Sequence, residues 1–400
     1  MLTLFVIITL LVSALVGVIV IPRIIIISKK KKLFDEISER KLHHGNIPRL
    51  GGVAFLPAFI FSVALIMGVR YFGGWEISAW SLETDVFREG MFLLAGLTMI
   101  FFTGLADDLT GLTYKSKFVV QILASLLLVY GGCGIGNLGG LFGIHAVPSF
   151  VGTILTVLVC VLLLNAYNLI DGIDGLCSGL SLLTLGALGI WFTWNNLYVY
   201  GIMVAGIVGV VGVFFFYNVS SKRMKIFMGD TGSTFLGFIL AVVSIQGLFK
   251  FYTIISFAVP FLMLGLPLFD TCFAILRRLS KGQSPMAPDR SHVHHRLIDM
   301  GFSQKQAVAV LYVITAILGL SAVVLTTSGA LKAIVLLCAL CLAGVISAKI
   351  FLSNHNDSHK EPIEQPKEED SHAPESHDDL RDPAGGSEDG PPGEGAGKQD

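Results

Sequence analysis

The chain has 400 residues, 53% of them hydrophobic and 14% charged, with a formal net charge of −1. Soluble domains carry about 25% charged residues, so this composition, with a mean hydropathy of +0.73, excludes a single water-soluble core and indicates a membrane protein. The near-neutral balance gives no reason to expect nucleic acid among its partners.

In chain order, the first apolar run is Leu2 to Ser28, and its basic cluster, Lys29 to Lys32, follows it. No basic segment precedes the run and no small-residue cleavage site ends it, the reverse of a cleaved signal peptide. A retained transmembrane helix with its N-terminus outside is expected. Crossing the hydrocarbon takes about 20 apolar residues. Eleven spans are expected, roughly 3–28, 50–69, 90–106, 118–135, 149–169, 176–195, 199–217, 232–248, 252–276, 306–327 and 330–352. With the N-terminus outside, the loops after spans 1, 3, 5, 7 and 9 hold 18 Lys and Arg residues, and the opposite loops hold four. Positive charge marks the cytoplasmic side. The expected fold class is all-α: a polytopic transmembrane helical bundle of about 11 spans in the cell (inner) membrane, N-terminus outside, C-terminus cytoplasmic, polar loops facing the cytoplasm. Residues 1–352 form the expected transmembrane domain. Residues 353–400 hold 14 of the 29 acidic residues and four basic ones. With few large apolar side chains to bury, they are expected to be a disordered acidic cytoplasmic tail. The six cysteines lie in or beside apolar runs and form no CxxC pair with partner ligands, so they read as small core residues.

Four polar constellations interrupt this pattern on the side assigned to the cytoplasm. Gly104-Leu-Ala-Asp107-Asp108 ends span 3. Successive helical side chains diverge by about 100°, so one carboxylate can face a metal or a lipid phosphate while the other orients its neighbours. Lys117, four residues before Gln121 and on the same helical face, can neutralise a phosphate or serve only as a positive-inside lysine. Asn165-Ala-Tyr-Asn168-Leu-Ile-Asp171-Gly-Ile-Asp174-Gly ends span 5, with Asn165, Asn168 and Asp171 along one side of a helix that Gly172 and Gly175 then break. Phe227-Met-Gly-Asp230-Thr-Gly-Ser233 precedes span 8, where free helix N–H groups favour phosphate and Asp230 suits a magnesium ion shared with it. The loop Lys281 to Leu297 holds Pro288-Asp-Arg290-Ser-His292-Val-His294-His295-Arg296. Zinc is poorly served there, since no Cys or carboxylate pair completes four ligands; interleaved arginines suit a grip on phosphate. Acids for a divalent ion, cations for phosphates and a glycine-flanked anion site on one face are what phosphoryl transfer requires. The competing class, a transporter or ion channel using inner-face carboxylates, predicts ionisable groups through the mid-membrane.

At these residues the chain resembles the polyprenyl-phosphate N-acetylhexosamine-1-phosphate transferase family, glycosyltransferase family 4. The motifs that carry the resemblance are Asp107-Asp108, Asn165-x-x-Asn168-x-x-Asp171-Gly-x-Asp174-Gly-Leu, Phe227-Met-Gly-Asp-x-Gly-Ser233, the histidine loop, and Arg40-Lys-x-His43 with Pro48-Arg-Leu-Gly-Gly52. Asp289-Arg-Ser-His-Val-His-His295 is similar to the branch of undecaprenyl-phosphate GlcNAc-1-phosphate transferases that primes O-antigen, teichoic acid or capsule synthesis. The peptidoglycan branch continues into Phe-Glu, where this chain has Arg296-Leu297. The resemblance implies a UDP-N-acetylhexosamine donor, with GlcNAc the expected sugar, a polyprenyl (undecaprenyl) phosphate acceptor in the membrane, release of UMP, and a homodimer as the assembly to consider. It implies magnesium, with manganese as the alternative, on Asp230 and Asp171. Asp107 or Asp108 would engage the lipid phosphate, Asp107 as base. Asn168 and Asp171 would line the metal and diphosphate pocket, and Asp174 and Phe227 the nucleoside pocket. Lys117 would contact phosphate, and Arg290, His292, His294 and His295 the sugar-phosphate end. Direct attack by the lipid phosphate is expected over a covalent aspartyl intermediate. Between Asn218 and Phe227 the chain is about two residues longer than common family members, so no role is carried over to Asn218.

Overall fold

The computed structural model describes residues 2–34, 47–74, 83–141, 143–220, 224–249, 262–284 and 292–325. The expected span at 330–352, the acidic tail, most of the first half of the span at 252–276, and the loop residues Arg40, Lys41, His43, Asp289 and Arg290 lie outside the described residues. The helices are α1 (Leu2–Lys30), α2 (Phe55–Phe72, entered through a 3₁₀ turn at Gly51–Ala54), α3 (Glu83–Thr110), α4 (Tyr114–Tyr130), α5 (Ser149–Ile170), α6 (Leu176–Trp194), α7 (Tyr198–Val219), α8 (Gly229–Phe249), α9 (Gly265–Ser280), α10 (Val293–Asp299) and α11 (Gln304–Leu325). Among the described residues, a two-stranded antiparallel hairpin, β1 (Asn137–Leu141) and β2 (Ile144–Ala146), interrupts the run of helices.

Among the described residues, six segments are long and apolar enough to cross a membrane: α1, Gly51–Phe72, Phe87–Thr110, α5, α6 and α7. The chain is a multi-pass membrane protein. Its long helices carry large apolar side chains on their outer faces, among them Leu4, Leu11, Leu15, Phe61, Phe102, Leu158 and Ile190. In water such a surface would aggregate; against hydrocarbon it is the stable arrangement. Where helices meet, small residues allow close approach. Along α1 the residues buried against the bundle include Thr9, Ser13 and Gly17, and the Ser13 hydroxyl donates to the Gly206 carbonyl of α7.

Two helices deviate from a simple apolar rod, and both matter for the site. The first is α8, buried at every residue from Thr231 to Gln246. A helix apolar on all sides belongs in the centre, and α8 packs against α3, α5 and α6. The second is α9, whose amphipathicity is inverted. It buries Asp270, Thr271 and Arg278 and exposes Phe269, Phe273, Leu276 and Leu279. A soluble helix turns its apolar stripe inward; here the polar stripe faces the protein because the outer medium is lipid.

The helices alternate in direction, so the C-terminal ends of α1, α3, α5 and α7 gather with the N-terminal ends of α2, α4, α6 and α8. Side-chain bonds between Arg49 and Asp108, Lys117 and Asp230, Asn168 and Ser233, and Asn218 and the Gly175 amide bind these ends together. At the opposite end Glu89 accepts hydrogen bonds from Tyr200 and Gln246, which ties α3, α7 and α8.

Candidate active site

The site grows from the N-terminus of α8. Its first free amides need acceptors, and α3 supplies one: Asp108, whose side chain is fully enclosed. The Asp108 carboxylate accepts from the amides of Asp230 and Thr231 at 2.9 Å each and from the Thr231 hydroxyl at 2.6 Å. Arg49 donates to it through Nε at 3.1 Å and Nη2 at 2.9 Å. The expectation that this helix end would offer free N–H groups to a phosphate is therefore corrected for Asp230 and Thr231, because a protein carboxylate already holds their amides. The packing leaves no room for alternatives. Gly229 sits at φ +74°, and an added β-carbon would collide with the Arg49 carbonyl and the Asp108 carboxylate. One at Gly104 would lie 2.6 Å from the Thr231 Cα.

With Asp108 turned inward, its neighbour Asp107 points along another face, as the helical divergence of adjacent residues demands. Lys117, in the first turn of α4, donates to Asp107 at 2.6 Å and to Asp230 at 2.7 Å. The Asp107 and Asp230 carboxyls also lie within hydrogen-bonding reach of each other. Burial opposes charge on Asp230, but the Asp107 carboxyl, the Lys117 ammonium and the Asn168 amide outweigh it and hold Asp230 below the usual carboxylate range. Burial likewise favours loss of the Lys117 proton, yet the charge of Asp230 and the bonds to both acids raise it above the ordinary lysine value. Two acids and one ammonium thus share a small volume, with Asp230 charged.

The end of α5 supplies the second wall. Asn165 donates to Gln121 of α4 at 2.8 Å, which fixes α5 against α4, and Asn168 donates to the Ser233 hydroxyl of α8 at 3.1 Å. Asp171 caps the α5 C-terminus, and the loop to α6 begins there. Asn218, to which no role was carried over, joins that loop to the Phe227 segment. Its side chain accepts from the Gly175 amide at 2.6 Å and donates to the Ile226 carbonyl at 3.0 Å. Asp174 is paired with Lys225, whose Nζ lies 5.4 Å from the centre of the Phe227 ring. Main-chain bonds with Pro48 and Gly51 seat Phe227 against the segment that carries Arg49.

The third wall is the histidine helix α10. His292 and His294 are buried and His295 is half-buried. The His294 ring presses on the loop after Asp171, so that a β-carbon at Gly172 would meet its Nε2 at 2.7 Å. His292 Nδ1 lies 2.8 Å from Asp270 of α9. The His292 Nε2 and both ring nitrogens of His294 have no hydrogen-bond partner among the described residues. Burial, followed by the neighbouring His295 and His292, pushes His294 from 6.5 down to about 4. His294 is therefore neutral at pH 7. Its folded value lies below its unfolded one, so the unfolded chain binds the extra proton, and stability present above pH 6.5 is lost as pH falls toward 4. About 3 kcal/mol is at stake. A thermal-unfolding series from pH 7.5 to 4 should show a steeper acid loss for the wild type than for His294→Gln.

Of the residues singled out from sequence, Asp107, Asp108, Lys117, Asn168 and Asp230 form one connected cluster. Asp171 caps the helix that carries Asn168, His294 packs on the following loop at Gly172, Asp174 and Phe227 share Lys225, His292 pairs with Asp270, His295 adjoins His294, and Arg290 lies outside the described residues. Arg49 enters the sequence reading only within its motif, with no role; Lys225 and Asp270 were not assigned to the site. Among the described residues no group of three or more His, Cys, Asp or Glu side chains is arranged to hold a metal ion.

A bundle of apolar helices whose ends bring together paired acids and an ammonium is the setting in which the chain's relatives are informative. Residues 91–248 match the model of glycosyl transferase family 4. The chain is 33% identical over 321 residues to a Bacillus subtilis (strain 168) protein named "Probable undecaprenyl-phosphate N-acetylglucosaminyl 1-phosphate transferase", covering 79% of this chain and 84% of the relative. It is 28% identical over 296 residues to the "Undecaprenyl-phosphate alpha-N-acetylglucosaminyl 1-phosphate transferase" of Escherichia coli (strain K12), covering 73% and 76%. A "Decaprenyl-phosphate N-acetylglucosaminephosphotransferase" of Mycolicibacterium smegmatis is 36% identical over 111 residues, 25% of this chain and 27% of that protein. The chain belongs to glycosyl transferase family 4.

Proposed function

We propose that the protein transfers N-acetylglucosamine 1-phosphate from UDP-GlcNAc to polyprenyl (undecaprenyl) phosphate, releasing UMP and leaving a polyprenyl-diphospho-sugar that primes a cell-surface glycan. The observation that carries this reading is the Asp107–Lys117–Asp230 cluster, tied through Asn168 and Ser233 to the end of α5, where the Asp171–Asp174 loop begins. The relatives' names supply the sugar and the lipid acceptor. In the reaction a lipid phosphate oxygen forms a bond to the β-phosphorus of the donor. The bond from that phosphorus to the bridging oxygen breaks, and its electrons leave with UMP. A phosphate monoester is already largely ionised near neutral pH, so Asp107 has to orient the nucleophile and accept at most a residual proton. Lys117 balances charge spread over the transferring phosphoryl group. The residues fit magnesium, which needs only one or two carboxylates beside substrate phosphate. Asp230 and Asp107 already converge on one cation, and Asn168 and Asp171 stand beside them at the end of α5. Bound there, the ion would neutralise diphosphate charge. Phe227 offers an aromatic ring for the uracil, with Lys225 over one face and Asp174 paired to that lysine. Asp108 belongs to the framework: its oxygens are used in holding α8.

The same reading has eleven spans, the N-terminus outside, and this site at the cytoplasmic face of the cell membrane, as the 18-to-4 distribution of basic residues requires. The test is to incubate purified protein with magnesium, polyprenyl phosphate and a panel of UDP-sugars, and to identify the lipid product. Polyprenyl-diphospho-GlcNAc with stoichiometric UMP is expected, and its absence from protein shown to be folded refutes the assignment. Phe227→Ala should raise the KM for UDP-GlcNAc about three- to tenfold, the worth of one aromatic contact, with a smaller change in kcat; steady-state kinetics with varied donor checks this.

A further inference from the structure

The buried acid Asp270 stands in none of the motifs, yet it makes the most constrained contact of the histidine segment. It comes from the inverted helix α9 and is 8% exposed. One carboxylate oxygen, Oδ1, accepts the Val293 amide at 3.0 Å. The other, Oδ2, lies 2.8 Å from Nδ1 of His292. A carboxylate offers only acceptors, so in this geometry Nδ1 carries the proton. The ring orientation and the start of α10 are thereby set by the same side chain. The far nitrogen, Nε2, is buried without a hydrogen-bond partner among the described residues. A buried polar atom in that state is costly, which marks a place where a ligand completes the site. The ring lies parallel to that of His294, at 6° and 5.9 Å, and His294 in turn abuts the loop after Asp171.

We propose that Asp270 is a positioning residue for the transfer reaction: it fixes His292 with Nδ1–H toward itself, so that Nε2 alone meets the sugar-phosphate of the donor. This inference rests on the reading of the site as a sugar-1-phosphate transferase. An empty site then presents Nε2 as an acceptor. With the donor in place, Nε2 accepts a hydrogen bond from a hydroxyl of its sugar-phosphate. In both states the Nδ1 bond is the same, so the ring does not have to turn. Comparable dyads set the tautomer of ring nitrogens that bind metals or move protons.

Asp270→Asn separates this role from a structural one. Asparagine has one acceptor oxygen, whereas Val293 N–H and His292 Nδ1–H both need one. If the amide oxygen keeps Val293, the NH₂ group faces His292 and forces the opposite tautomer. The expected result is a fall in kcat of about 10²-fold, a KM for UDP-GlcNAc within about threefold of wild type, and unchanged solubility and melting. In ¹⁵N-histidine spectra the His292 signal should move from the Nδ1–H form to the Nε2–H form. In a His292→Gln background the same substitution should cost less than about twofold, since the partner it acts through is gone. Asp270→Glu should recover part of the activity. The proposal is overturned if D270N keeps full turnover, if its effect is undiminished in the His292→Gln background, or if wild-type His292 is in the Nε2–H form. The spectra need no turnover. A wild type that fails to make lipid-linked sugar therefore sinks the transferase reading and still leaves the tautomer to decide whether Asp270 positions the ring.

Discussion

Asp230→Asn should reduce turnover by about 10³-fold while the protein remains folded. The geometry sets both halves of that expectation. Asp230 shares the Lys117 ammonium with Asp107 at 2.7 and 2.6 Å, and its environment keeps it charged. Its carboxylate is thus the group available to a divalent ion and to the charge balance around the phosphates. Its amide, bonded to Asp108, is untouched by the substitution, so α8 keeps its cap. Lys117 loses one of its two acids and stays paired with Asp107. The measurement is single-turnover UMP release at saturating donor, with melting temperature as the folding control. Activity within tenfold of wild type, in protein that melts normally, removes Asp230 from the chemistry.

The neighbouring acid gives the opposite outcome. Asp108→Ala should destabilise the protein by about 3–5 kcal/mol, because it removes the carboxylate that holds two helix amides and the Thr231 hydroxyl and that offsets the charge of the Arg49 guanidinium. In a chain of this size that corresponds to a drop in melting temperature on the order of 10 °C. Asp108→Asn should recover little, since one amide oxygen cannot replace a carboxylate that accepts from five donor groups. Scanning fluorimetry in detergent, with size-exclusion chromatography of the surviving fraction, reads the result. If Asp108→Ala melts within about 2 °C of wild type and still loses activity, Asp108 contacts substrate and the framework role assigned to it is wrong.

The contrast between these two acids shows which parts of the site were legible in the sequence. The Asp107-Asp108 motif, the Asn-Asp-Gly run after span 5, the Gly-Asp-Thr-Gly segment and the histidines were visible as polar groups placed at the ends of apolar runs, where only function or pairing tolerates them. Helical divergence said that Asp107 and Asp108 point apart, but no pattern in one chain says which of them faces the ligand; that depends on where α8 is packed. The same packing filled the helix end that was expected to take phosphate. Asp270 was harder to see. It lies inside an apolar stretch with no neighbouring motif, and the inverted amphipathicity of α9 becomes meaningful only once lipid is recognised as the outer solvent. An acid in such a stretch was nonetheless a signal in itself. Asn218 escaped because an insertion shifted its spacing, and its contacts, to Gly175 43 residues back and to Ile226 across the insertion, are fixed only by the fold.

The fold itself was readable where apolar runs were long. All six segments long enough to cross a membrane were anticipated, although α3 starts at Glu83, before the expected 90. The segment between α4 and α5, to which the sequence reading gave no element, forms the hairpin β1–β2, where Gly143 at φ +77° lets the chain reverse.

The burial of α8 from Thr231 to Gln246 has a mechanical corollary. The Asp230 carboxylate stands at the end of a helix braced by neighbours over four helical turns. The histidine helix has seven residues, and a single acid ties its start to α9. In the proposed reaction the reactants would thus meet an acid cluster seated on a buried helix on one side and this short helix on the other.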